Sequence, residues 1–174
     1  MKTNQVKRLA YAGLFTALVT VATMFFKIPI PITNGYVNLG DGFIFAAGMV
    51  LGPLAGAVGA VGSALADLLA GYPHYAIVTF FIKGAMGLLV GCLVKKYDYS
   101  KLLKNCLIFL LAEVIMVGGY FVFESFYYDV AAALGAVLPN AVQGVFGVII
   151  GAVLAPVLRR LPVAKQAAET AKKD

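Results

Sequence analysis

The sequence predicts an all-α integral membrane protein, a single domain of six transmembrane helices. Three observations carry this. Hydrophobic residues make up 61% of the chain and charged residues 13%, whereas a soluble domain is about one-quarter charged. The mean hydropathy is +0.91. The apolar residues form long runs near bilayer-crossing length, unlike the short alternating segments of an outer-membrane barrel.

Helix 1 is predicted over 6–26. Lys2, Lys7 and Arg8 precede or open this run, which is longer than the core of a signal peptide. Pro29 and Pro31 follow it and disfavour helix. A polar loop, Thr33-Asn34-Gly35, then leads into helix 2, predicted over 37–51. Asp41 stands in the first turn of helix 2 between Gly40 and Gly42. An acid there has two readings. It caps free N–H groups under the favourable helix dipole, or it forms the floor or rim of a small-molecule pocket. Helix 2 is short for a hydrocarbon core of about 30 Å. It therefore starts early or is buried among other helices.

Gly52-Pro53 separates helix 2 from helix 3, predicted over 54–70. Gly71-Tyr72-Pro73 ends helix 3, and helix 4 covers 74–94. The stretch 95–101 is polar and lysine-rich. Helix 5 runs over 102–126, long enough to span with tilt. Residues 127–138 carry no decisive signal. Pro139 suits a first helical turn and marks the start of helix 6, 139–158. The tail, 159–174, is charged.

The net charge is +6, but the basic residues lie between and beyond the apolar runs. They read as topology determinants, and nucleic acid is not an expected partner. Lys2, Lys7 and Arg8, then Lys95, Lys96, Lys101 and Lys104, then Arg159, Arg160, Lys165, Lys172 and Lys173 all fall on one side if there are six spans. The positive-inside rule places both termini in the cytoplasm of a multi-pass protein of the cell membrane.

Small residues mark surfaces where helices approach closely. Helix 1 carries Ala12, Gly13, Thr16, Ala17 and Thr20. A face this size at the edge of the chain is a candidate for docking an external partner. Similar glycines on helices 2, 3 and 6 read as packing inside the bundle.

Ionisable groups at membrane depth are functional candidates by default. Here they are Asp41, Asp67, Lys83, Glu113 and Glu124. Tyr75, Thr79 and Lys83 share one face of helix 4, and Glu113, Tyr120 and Glu124 one face of helix 5. Asn140 and Gln143 stand one turn apart on helix 6. The expected substrate-binding set is Asn38, Asp41, Tyr75, Thr79, Tyr120, Glu124, Asn140 and Gln143, converging on an outward-facing pocket with aromatic walls. Lys83 and Glu113 lie deeper and are expected to pair with each other, or with Asp67, as scaffold. No catalytic constellation, metal cluster or cofactor is expected. Cys92 and Cys106 have no metal-ligand neighbours in the sequence. The Gly-x-Gly-Asp pattern of an intramembrane aspartyl protease is broken at Asn38-Leu39-Gly40-Asp41, and there is no P-loop.

Five stretches together resemble one family. They are Tyr36-Val37-Asn38-Leu39-Gly40-Asp41, Leu51-Gly52-Pro53-Leu54-Ala55-Gly56, Ala66-Asp67-Leu68, Ile82-Lys83-Gly84 and Leu138-Pro139-Asn140-Ala141-Val142-Gln143-Gly144. The chain resembles the S components, the substrate-binding membrane subunits of energy-coupling factor (ECF) vitamin transporters. It is most similar to the branch associated with hydroxymethylpyrimidine, pyridoxine or riboflavin. The resemblance implies capture of a vitamin from outside and docking on a transmembrane coupling subunit (EcfT-like). Two ATPase subunits would power the cycle. It also assigns the helix-1 face to docking, although Gly13 and Thr16 stand where the family usually has alanines. Two other classes compete: a proton-coupled carrier using Glu113 and Lys83, and a structural subunit of a membrane complex.

The topology is testable by cysteine accessibility in sealed vesicles. Single cysteines in the 95–101 loop and at Asp129 should label from opposite sides. Labelling of both from one side contradicts the six-span reading.

Overall fold

The computed structural model describes residues 2–94 and 102–158. The expectations for the 95–101 loop and the 159–174 tail lie outside them. Six α-helices are present among the described residues: α1 (Lys2–Phe25), α2 (Asp41–Leu51), α3 (Ala55–Ala70), α4 (Pro73–Leu93), α5 (Leu102–Tyr127) and α6 (Val130–Leu158). A two-stranded antiparallel hairpin, β1 (Ile28–Ile30) and β2 (Gly35–Val37), joins α1 to α2.

The hairpin corrects the predicted start of helix 2. Residues 35–37 pair with β1, Pro29 lying opposite Tyr36. Proline is tolerated here because each strand of a two-stranded ribbon has a free edge. Asn34 turns the chain with φ of 46°, a left-handed conformation that asparagine accepts better than most residues. Helix therefore begins only at Asp41.

Helix 6 also starts earlier than predicted, at Val130 rather than Pro139. Asp129 supplies the reason. Its carboxylate accepts from the Ala132 N–H at 2.8 Å, a helix N-cap. Pro139 and Pro156 then lie inside α6, which membrane helices accommodate when neighbouring groups make good the lost hydrogen bond.

Among the described residues, length and composition give five segments able to cross a membrane, because α2 and α3 count together as Asp41–Ala70. At 11 residues, α2 is only about 16 Å long. Its contacts nonetheless define a direction. Asp41 meets Lys83 and Gly48 abuts Val90, so α2 runs alongside α4 in the same sense. Gly56 abuts Leu88 and Gly59 abuts Lys83, so α3 runs the opposite way. The chain turns back at Gly52–Leu54, where Gly52 has φ of 66°. On α4, Gly87 and Gly91 lie directly against the backbone of Ala55 and Gly52. Any side chain there would separate α3 from α4.

Ten of the 11 residues of α2 are buried, which answers how so short a helix sits in the membrane. It is enclosed by α1, α3, α4 and α6. Phe45 stacks on Phe109 of α5 with ring centroids 4.6 Å apart. The apolar residues of α1, α5 and α6 that face away from this core, such as Leu9, Leu103, Val114, Leu138 and Val153, are exposed. Such a surface suits acyl chains rather than water.

The cap accounts for the early start of α6, so Asp129→Ala should cost about 1 kcal/mol. Thermal unfolding in detergent measures this. An unchanged midpoint would mean the first turns of α6 do not depend on Asp129.

Candidate functional site

A cavity lies where the hairpin, the start of α4, the end of α5 and the middle of α6 meet. It is lined by Thr23 of α1, Ile30, Gly35, Tyr36 and Asn38 of the connecting segment, and Ser63 and Asp67 of α3. Tyr75, Thr79 and Lys83 of α4, Tyr120 and Glu124 of α5, and Asn140 and Gln143 of α6 complete it. The free volume is about 20 Å³, room for little more than a water molecule, so a ring-sized ligand needs the lining side chains to move apart. A larger groove between the end of α1 and α6 is lined mainly by apolar residues, including Phe25, Phe146 and Ile150, and lacks such a polar set.

All the expected substrate-binding residues line the cavity except Asp41. Asp41 lies behind it with both carboxylate oxygens occupied. Lys83 Nζ donates to Oδ1 at 2.5 Å, and Gln143 Nε2 donates to Oδ2 at 2.6 Å. Asp41 does not cap its own helix, whose N-cap residue is Gly40 with no side-chain cap bond. Lys83 also departs from expectation. Its ion pair is with Asp41, not with Glu113 or Asp67, and it lines the cavity. The spacing i, i+4, i+8 that puts Lys83 beneath Tyr75 and Thr79 already places it on the cavity face.

Gln143 fastens several elements at once. Its Oε1 accepts from the Asn38 backbone N–H at 2.8 Å and from Asn38 Nδ2 at 3.4 Å. Asn38 Oδ1 in turn accepts from the Gly40 N–H at 2.9 Å. One amide thus ties α6 to the β2–α2 connection, while its other end holds Asp41. The deep end of the cavity is consequently rigid and largely satisfied.

The upper walls are aromatic. Tyr75 packs edge-on against Tyr120, with centroids 6.1 Å apart, and Tyr120 Oη and Thr79 Oγ1 share a hydrogen bond of 3.0 Å. Tyr75 Oη donates to Glu124 Oε1 at 2.9 Å and reaches the Thr33 carbonyl at 3.0 Å. Tyr36 Oη donates to Asp67 Oδ1 at 2.6 Å. Burial, with Asp67 adding to it, holds the Tyr36 hydroxyl far above the usual phenol range, so it remains a donor. Sequence reading missed Tyr36 and treated Asp67 as scaffold. Their loop-and-helix partnership across 31 residues leaves no periodic signal.

Glu113 stays outside the cavity lining. Its carboxylate packs against Gly144 and Gly147 of α6, and neither oxygen has a hydrogen-bond partner. No group of three or more potential metal ligands occurs among the described residues.

The small face of helix 1 is divided. Ala12 is buried, and Thr20 Oγ1 lies 2.9 Å from the Gly62 carbonyl of α3. Thr16 bonds back to Ala12, and its own carbonyl lies beside Gly62. Ala12, Thr16 and Thr20 therefore serve contacts within the chain. Gly13 and Ala17 point outward, with nothing within 4 Å of a Cβ placed on Gly13.

Fold and site together define a class: a helical membrane protein with a cavity lined by polar and aromatic side chains toward one end of its bundle. Comparison with known proteins narrows it. The family model for the ECF-type riboflavin transporter, S component, matches residues 3–160. A Lactococcus lactis protein, thiamine precursor transporter HmpT, is 32% identical over 162 residues, covering 92% of each chain. A Pyrococcus woesei protein described only as uncharacterized is 40% identical over 144 residues, 82% of this chain and 95% of that one. The crystal structure of FolT bound with folic acid superposes with a TM-score of 0.62 over 90% of this chain and 94% of that one. At 22% identity that likeness speaks for the fold alone. The chain belongs to the family of S components of ECF-type transporters. It is a transport protein of the membrane and not an enzyme.

The Lys83–Asp41 pair generates a prediction. Lys83→Met leaves an uncompensated buried carboxylate and should cost about 3–5 kcal/mol. Adding Asp41→Asn should recover most of the loss, read as thermal unfolding in detergent. A double variant as unstable as the single one would show that the pair is not the source of the effect.

Proposed function

We propose that this chain is the vitamin-binding S component of an ATP-driven ECF importer. It captures a small ring-containing vitamin or precursor from outside and delivers it by docking on a coupling subunit, with two ATPase subunits powering the cycle. The observation that carries the reading is the cavity itself, polar at its contacts and aromatic in its walls, in a chain of this family. Hydroxymethylpyrimidine is the favoured ligand and pyridoxine the next. The HmpT relative supports the first, and a single ring asks the least movement of the lining side chains, Thr79 and Tyr120 among them. A flavin is the second reading, favoured by the family description. Its three fused rings need Thr79 and Tyr120 to part.

The proposed topology has six crossings, with α2 and α3 as separate short passes and both termini cytoplasmic. The reversal at Gly52–Leu54 supports it, as does the clustering of basic residues at the two termini and in the α4–α5 connection. The cavity then faces outward. The docking surface on α1 centres on Gly13 and Ala17, the small residues that its packing against α3 leaves uncovered.

The test separates binding from transport. Purified alone, the chain should bind hydroxymethylpyrimidine; in proteoliposomes it should accumulate it only with the coupling and ATPase subunits. Gly13→Leu and Ala17→Trp should leave binding unchanged and abolish ATP-driven uptake, because close approach needs small side chains. Uptake by the chain alone would contradict the reading in favour of a self-sufficient carrier. Full assembly and uptake in both variants would move the docking surface elsewhere.

A further inference from the structure

Asp67 and Glu124 are alike in a way that concerns the ligand. Each is nearly inaccessible, 4% and 2% exposed. Each lines the cavity. Each has one carboxylate oxygen held by a tyrosine hydroxyl, Tyr36 for Asp67 and Tyr75 for Glu124. Each has its other oxygen, Asp67 Oδ2 and Glu124 Oε2, buried with no hydrogen-bond partner in the protein. They belong to α3 and α5, the helices that pack on either side of α4.

A buried carboxylate oxygen without a donor is costly, and native structures rarely leave one so. The nitrogen donors beside the cavity do not answer the need. The Lys83 ammonium, the only lysine lining the cavity, is engaged by Asp41. The Gln143 amide nitrogen is spent on Asp41 as well. Ser63 Oγ, which also lines the cavity, is without a partner too. Two carboxylate oxygens on two of its walls thus stand unpaired, beside the unpaired hydroxyls of Thr23 and Ser63, which can donate as well as accept.

We infer that Asp67 and Glu124 are the specificity determinants of the site, and that they select a flat ring bearing hydrogen-bond donors on two separate edges. The inference rests on the reading of the chain as an S component. The tyrosines hold each carboxylate in place and leave one oxygen of each for the ligand. An aminopyrimidine with a hydroxymethyl substituent meets this requirement, its amino N–H donating to one acid and its hydroxyl O–H to the other. A ring whose edges mainly accept is rejected, because the two oxygens would stay buried and unpaired.

The experiment is a ligand–protein double-mutant cycle. The probes are 4-amino-5-hydroxymethyl-2-methylpyrimidine, its analogue lacking the amino group, and its analogue in which methyl replaces hydroxymethyl. Affinities are measured by calorimetry in detergent for wild type, Asp67→Asn and Glu124→Gln. In the wild type each analogue should bind at least about tenfold more weakly. In each variant one analogue, a different one for each acid, should lose less than about threefold relative to the full ligand. Wild type that binds either analogue as tightly as the full ligand overturns the inference, whether or not the variants fold. So do variants in which both analogues keep their full penalty. Wild type that binds no ring-containing vitamin at all contradicts the S-component reading itself, which separates the two failures.

Discussion

Lys83 and Asp41, 2.5 Å apart in the interior of the bundle, are the interaction on which the site depends. A buried ion pair adds little net stability over apolar residues of the same size, but it is strict about geometry. Here it joins α4 to the first residue of α2. Gln143 extends the pair to α6, and through Asn38 to the segment leaving the hairpin. Four separate parts of the chain are thereby fixed around one charge pair, and the floor of the cavity is what they enclose. The short α2 can serve as this anchor because it is enclosed by other helices and need not face lipid.

The membrane interior sharpens the meaning of what remains. Where no water competes, each polar group is either paired or waiting for a partner. At the floor, Asp41, Lys83 and Gln143 consume one another. Nearer the hairpin, Tyr36 and Tyr75 satisfy only half of Asp67 and Glu124. On the proposed reading the satisfied network is scaffold, and the half-satisfied carboxylates are where a ligand's donors would go. This division differs from one drawn by depth alone, which assigns Lys83 and Asp67 to scaffold and Asp41 to the site.

Much of this was legible in the sequence, for physical reasons. Uninterrupted apolar runs mark α1, α4 and α5 to within a few residues, since crossing length and hydropathy leave little choice. Periodicity put Tyr75, Thr79 and Lys83 on one face, and Tyr120 with Glu124 on another, and those faces do meet at the cavity. The hairpin was hidden because Pro29 and Pro31 read as a break, although a three-pair ribbon with a free edge tolerates Pro29 and Pro31 falls in its turn. The start of α6 was hidden because Pro139 is a strong start signal and the Asp129 cap a weaker one. The partners of Lys83 and Asp67 were not legible at all. Pairings between residues 42 and 31 positions apart depend on how helices pack, and composition does not encode that. The helix-1 face was half legible: small residues mark close approach, but not whether the approaching helix belongs to the same chain.

The central claim is that a cavity with two half-satisfied carboxylates, in an S-component bundle, holds a small donor-bearing ring. Its most direct test is mass spectrometry of the small molecule that copurifies with the protein from a membrane extract. The account predicts a single-ring compound carrying amino or hydroxyl donors, released on unfolding in a one-to-one ratio with protein. A stoichiometric flavin, or a compound whose polar groups only accept hydrogen bonds, would contradict it.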